Sequence, residues 1–131
     1  MIGLDTHVLV RHLVQDDVKQ ATASTRLVES LTPAEPGFVS HVVLVESVRV
    51  LESCCEADAA RIDAVVETLL RPESIRVERA EAVWRALRRF RGGNGDFPDT
   101  LVTELAAEAG CRIVYTFDRN AVKRAGMTLL A

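Results

Sequence analysis

No part of this chain is an uncharged apolar run of membrane length, so no membrane-spanning helix is expected. The amino terminus lacks a basic leading segment, and Asp5, His7 and Arg11 interrupt its apolar residues, which argues against a secretion signal. Cysteine is scarce. Cys54, Cys55 and Cys111 are odd in number and follow no metal-ligand spacing, and a disulfide between neighbours 54 and 55 would close a very tight ring. Reduced thiols in a cytoplasmic protein are therefore expected. His7, His12 and His41 likewise show no zinc-ligand spacing. Excess positive charge is missing too: the formal net charge of −3 argues against a generally basic nucleic-acid coat and leaves only a local basic face. There is no internal repeat or low-complexity tract. The segment Gly92-Gly93-Asn94-Gly95 reads as a flexible loop, because it follows no strand and lacks the spacing of a phosphate cradle.

What is present is an ordinary globular composition of 131 residues, 48% apolar and 27% charged, enough for one domain over residues 1–131 with a real core. Ile2-Gly3-Leu4 reads as a short buried strand, and Asp5-Thr6 opens a helix carrying Val8, Leu9, Leu13 and Val14. A second helix starts at Asp16-Asp17 and ends before Pro33. Phe38-Val39 is the next strand, and Ser40 caps residues 41–53, whose valines suit a strand or a buried helix; their length predicts a helix. Residues 57–71 form an amphipathic helix stopped by Pro72, and residues 74–77 form a strand. A helix follows whose core stripe includes Trp84 and Phe90, and a further helix opens at Asp96-Phe97-Pro98-Asp99 and ends at Gly110. Residues 112–117, 120–125 and 128–130 are predicted as strand, helix and strand. Strands alternating with helices imply an α/β fold with a parallel sheet covered on both faces.

Carboxylates punctuate this pattern where ligands bind in such folds. Asp5 and Asp118 each end a strand, at the carboxyl edge of a parallel sheet. Asp5 has two readings, a cap for the helix after it or a functional acid. Glu46 stands among valines in a helix that reads as buried, where an acid needs compensation; an ion pair with Arg49 is the plainer reading, a functional acid the favoured one. Asp96 and Asp99 alone would read as helix-start acids. Topology changes that reading. A helix leading back to the strand that ends at Asp118 starts on the same sheet edge, so Asp5, Glu46, Asp99 and Asp118 are expected to share one cleft. Crowded carboxylates require positive charge between them, and hard oxygen donors favour Mg2+ or Mn2+. Such a site clamps a phosphodiester and activates water, which is nucleic-acid hydrolysis. Arg85, Arg88, Arg89 and Arg91 either hold phosphates or form a solvated face paired with Glu78 and Glu81; both readings stand.

On these residues the chain resembles the PIN-domain ribonucleases, and among them the VapC-type toxins of toxin–antitoxin pairs. Gly3-Leu4-Asp5-Thr6-His7-Val8-Leu9-Val10 is similar to the family's opening, Glu46 to the acid of its apolar helix, Asp96-Phe97-Pro98-Asp99 to its helix-opening acids, and Thr116-Phe117-Asp118 to its closing motif. The resemblance implies a three-layer α/β/α fold with a central parallel sheet. It implies Mg2+ (Mn2+ able to substitute) held by Asp5 and Asp99, with Glu46 and Asp118 completing the catalytic acids, Asp96 contributing, and Thr6 and Thr116 as supporting hydroxyls. It further implies an RNA substrate, a homodimer and a small VapB-like antitoxin that blocks the cleft. His7 stands where the family usually has asparagine, and Ser47 where it has an apolar residue.

Other classes fit less well. A phosphoacceptor receiver domain needs paired acids after its first strand and a lysine ending a strand, and neither is present. A phosphatase with an Asp-x-Asp nucleophile is disfavoured because His7 occupies the second acid's place. A catalytically degenerate PIN-like binding domain is the alternative that His7 keeps in view.

Overall fold

The computed structural model describes residues 1–93 and 95–131; Asn94 of the expected glycine-rich loop lies outside them. The chain divides into two compact units, residues 1–78 and 79–131.

The first unit contains β1 (Ile2–Gly3), α1 (Thr6–Val14), α2 (Val18–Ser30), β2 (Gly37–Val39), α3 (His41–Cys54), α4 (Ala59–Leu70) and β3 (Ile75–Val77). Its strands pair in the order β1-β2-β3, all parallel, with Gly3 opposite Phe38 and Val39 opposite Val77. Gly37 in the central strand has a steric cause: a Cβ there would lie 2.8 Å from Leu31 Cδ1 and 2.9 Å from Leu4 Cδ1. The valine-rich segment is a helix, as its length suggested. Ser40 Oγ accepts from Val43 N–H at 3.2 Å, and Leu44, Val48 and Leu51 recur at helical spacing and are fully buried. Burying each such side chain contributes roughly 1.5–3 kcal/mol, which outweighs the small helix penalty of β-branched residues. Ile62, Val66 and Leu69 of α4 add to this core. That helix starts two residues later than expected because Asp58 sits outside it as a cap, accepting from Arg61 N–H at 2.9 Å.

The second unit contains α5 (Ala80–Arg91), α6 (Phe97–Glu108), β4 (Tyr115–Thr116), α7 (Arg119–Ala125) and β5 (Thr128–Leu129). β4 and β5 pair in parallel, so the strands of the described residues form two hydrogen-bonded groups, one in each unit. Val83, Leu87, Phe97 and Leu101 are buried between α5 and α6, and Phe90 meets Phe97 edge to face at 5.8 Å. Pro98 stands in the first turn of α6, and Gly110, two residues past the helix, takes φ 96°, which only glycine adopts without strain. The strand expected over residues 112–117 shortens to Tyr115–Thr116, since its ladder partner among the described residues, Thr128–Leu129, is two residues long. No helix of the described residues is long and apolar enough to cross a membrane.

Candidate functional site

In the first unit β1 delivers Asp5 to the start of α1. The backbone of β1 is tied to β2 by Leu4 N–H donating to the Phe38 carbonyl at 3.0 Å, so the position of Asp5 is fixed by the sheet. Asp5 occupies the N-cap position of α1 with extended backbone, yet its side chain makes no capping hydrogen bond. Asp17, Asp58, Asp96 and Asp118 occupy the same position of their helices and each accepts a backbone N–H. The capping reading therefore fails for Asp5, which leaves its exposed carboxylate for another task.

Thr6 is 4% exposed, and its Oγ1 donates to Glu46 Oε2 at 3.2 Å. This bond joins the start of α1 to the middle of α3, across 40 residues of sequence. Glu46 is not buried among valines as expected. Because α3 turns Leu44, Ser47, Val48 and Leu51 inward, Glu46, Val42 and Arg49 fall on its exposed side. The compensation that a buried acid would need is thus unnecessary, and the link to Thr6 orients Glu46 instead. Arg49 reaches Glu52 at 3.2 Å. Ser47 is buried and its hydroxyl has no hydrogen-bond partner, while His7 is exposed on α1.

In the second unit Asp96 and Asp99 open α6 together. Asp96 Oδ1 accepts from Asp99 N–H at 2.9 Å, so Asp96 is a cap, while Asp99 is half-buried in the first turn. Thr116 Oγ1 accepts from Asp118 N–H at 3.0 Å, and Asp118 Oδ1 accepts from Asn120 N–H at 2.8 Å. Thr116 therefore shapes the turn that presents Asp118, and Asp118 caps α7. The structure brings together Thr6 with Glu46, Asp96 with Asp99, and Thr116 with Asp118. Among the described residues of either unit, no three Asp, Glu, His or Cys side chains gather at metal-binding distances.

The donors within each unit are nonetheless of the chemical kind that a hard divalent cation takes. Asp5, Glu46, Asp96, Asp99 and Asp118 offer only carboxylate oxygen, and Mg2+ is held through one or two carboxylates with the rest of its shell from water and phosphate.

The arginines of α5 take partners that the sequence reading missed. Arg85 pairs with Glu104 at 3.4 Å and Glu108 at 2.8 Å, Arg89 pairs with Glu104 at 3.0 Å, and Arg79 pairs with Glu108. These acids belong to α6, not to the expected Glu78 and Glu81; Glu78 instead accepts from His41 N–H at 2.9 Å. The matching i, i+4 spacing of Arg85 and Arg89 on one helix and Glu104 and Glu108 on the other was the available signal. Arg85 and Arg89 thus hold α5 to α6, and Arg89 also donates to the Ala125 carbonyl at 3.4 Å. Trp84 is half-buried, not a core residue, and lines a surface recess of about 540 Å3 with Glu81, Arg85 and Arg88.

Comparison with known proteins adds three findings. The profile of the PIN domain family matches residues 2–127. A VapC ribonuclease of Aquifex aeolicus (strain VF5) is 31% identical over 117 residues, covering 89% of this chain and 87% of that protein. A crystal structure of the sarcin–ricin loop cleaving toxin VapC20 of Mycobacterium tuberculosis is 24% identical, covers 98% of this chain and 97% of that one, and superposes with a TM-score of 0.48.

Proposed function

Because the chain belongs to the PIN-domain family, among its VapC-type members, we propose that it is a Mg2+-dependent endoribonuclease and the toxin of a toxin–antitoxin pair. The observation that carries this reading is an Asp5 carboxylate that caps nothing, followed directly by Thr6, whose hydroxyl orients Glu46. A helix start that leaves its own carboxylate unused for capping, beside a hydroxyl aimed at a second acid, has the makings of a cation site and not of a structural cap.

Asp5 and Asp99 hold the cation in this proposal, with Glu46 and Asp118 completing the acidic set and Asp96 in a minor part. Mg2+, when bound, supplies positive charge to the scissile phosphate and to the attacking water. Thr6 fixes the rotamer of Glu46, and Thr116 fixes the turn bearing Asp118. Arg85, Arg88, Arg89 and Arg91 steer the RNA backbone, Arg85 and Arg89 through the donors that their pairing with α6 leaves them. The two units act as one domain, which the family match across residues 2–127 supports. A VapB-like antitoxin, a homodimer and a cytoplasmic location belong to the same reading.

The test is cleavage of structured RNA with and without Mg2+ by the wild type and by Asp99→Asn. Cleavage by the wild type only, and only with Mg2+, is expected; equal cleavage by both proteins contradicts the site assignment. A finer expectation concerns Thr6. Thr6→Val keeps the shape of the side chain but frees Glu46, so cleavage falls by about 10–100-fold, the usual cost of losing a group that orients a metal-holding side chain. The accompanying stability loss is about 1 kcal/mol, for one hydrogen bond. Unchanged cleavage rates in Thr6→Val would remove the role given to this contact.

A further inference from the structure

A second pair of side chains stands apart from the acids. Cys54, the last residue of α3, and Cys55, just beyond it, are both exposed free thiols, and their sulfurs lie 3.0 Å apart. α3 carries Glu46 eight positions earlier, about 12 Å away along the helix at 1.5 Å per residue, so the thiols are no part of the site already described.

The spacing selects what the pair can hold. Consecutive Cα atoms lie about 3.8 Å apart, short of the roughly 4.4 Å at which unstrained disulfides begin, so direct S–S closure is strained. One atom inserted between the sulfurs enlarges the ring and removes that constraint. A linear two-coordinate ion does not fit, because its sulfurs would stand on opposite sides, nearly two metal–sulfur bonds of about 2.3 Å apart. A tetrahedral zinc site needs four ligands, and among the described residues no third Asp, Glu, His or Cys joins the pair in a metal-binding group. What remains is a soft centre that needs two sulfurs on one side and brings its own third substituent.

We propose that Cys54 and Cys55 form a dithiol site for a monosubstituted trivalent arsenical or an equivalent thiophilic centre. In the binding step two S–H bonds and the arsenic–oxygen double bond break, two S–As bonds form, and both thiol protons leave with the oxygen as one water. No oxidation state changes, so no oxidant is required. The hydrogen bond with Cys54 holds the Cys55 thiol above its ordinary range, helped by desolvation and by the charges of Cys54 and Asp16 and opposed by Arg61. Cys55 is accordingly kept in its thiol form, slow toward single-site alkylating agents.

The experiment is intact-mass analysis of the reduced full-length protein after one equivalent of phenylarsine oxide, followed by iodoacetamide. The expected product carries one phenylarsenic group with net loss of one water, leaves one cysteine open to alkylation, survives excess monothiol and is stripped by a small dithiol. Cys111→Ser keeps the adduct, whereas Cys54→Ser and Cys55→Ser each lose it. Both positions are exposed, and protection of two cysteines in the wild type reads out the site without any substitution. An adduct that persists in Cys55→Ser, that needs Cys111, or that excess monothiol removes would overturn the proposal.

Discussion

Asp5→Asn is expected to lower RNA cleavage on the order of 10³-fold while leaving the folded protein as stable as the wild type. A residue that holds the cation directly should cost more than the 10–100-fold typical of groups that only orient such residues. Stability should not change, in Asp5→Asn or in Asp5→Ala, because Asp5 is exposed and its side chain makes no capping bond to lose. Asp58 provides the contrast: it caps α4 through Arg61 N–H, and Asp58→Ala should cost about 1 kcal/mol in urea unfolding with little effect on catalysis. If Asp5→Ala destabilised the protein as Asp58→Ala does, Asp5 would be a cap after all.

Phe97→Ala should destabilise the protein by about 3–5 kcal/mol, the range for removing a buried aromatic ring. Phe97 is 1% exposed and packs edge to face on Phe90, so its loss leaves a cavity between α5 and α6 that backbone relaxation fills only in part. It is also the first residue of α6, two positions before Asp99, so the same cavity loosens the turn that presents that acid. Chemical unfolding gives the magnitude; a loss below about 1 kcal/mol would show that this contact is not part of the core, since removing buried aromatics costs several times that. Against a total stability of about 5–15 kcal/mol the expected change leaves a substantial unfolded fraction at elevated temperature.

Much of this was legible in the chain because it depends on local chemistry. Ser40 and Asp17 are caps by side-chain type and position, Pro98 and Gly110 bracket α6, and the apolar spacing of α4 allows little but a helix. The α/β class and the parallel direction of pairing follow from the alternation of elements. What stayed hidden depends on which face an element turns inward. The valines of α3 gave no phase, so Glu46 reads as buried in sequence, whereas Leu44, Val48 and Leu51 set the phase and leave it exposed. Arg85 and Arg89 face α6 for the same kind of reason, and their partners lie 15 to 23 residues away, beyond any local pairing rule. Whether a helix-start acid caps is likewise a matter of rotamer: Asp5 and Asp118 read alike in sequence, yet the Asp118 carboxylate accepts from Asn120 N–H and the Asp5 carboxylate makes no capping bond.

Thr6 shows how a supporting residue becomes visible only in three dimensions. Its hydroxyl reads in sequence as one of several near a candidate acid, while in the structure it is buried and aimed at Glu46. The acids of the second unit rest on their own local supports, Asp99 through Asp96 and Asp118 through Thr116.

The measurement closest to the central claim is a calorimetric titration of Mn2+ into the wild type, Asp5→Asn and Asp99→Asn, all shown to be folded. Saturable uptake by the wild type that is lost in both variants is the predicted result. No saturable uptake by the wild type, or equal uptake by all three, would contradict the assignment of these carboxylates to a divalent cation.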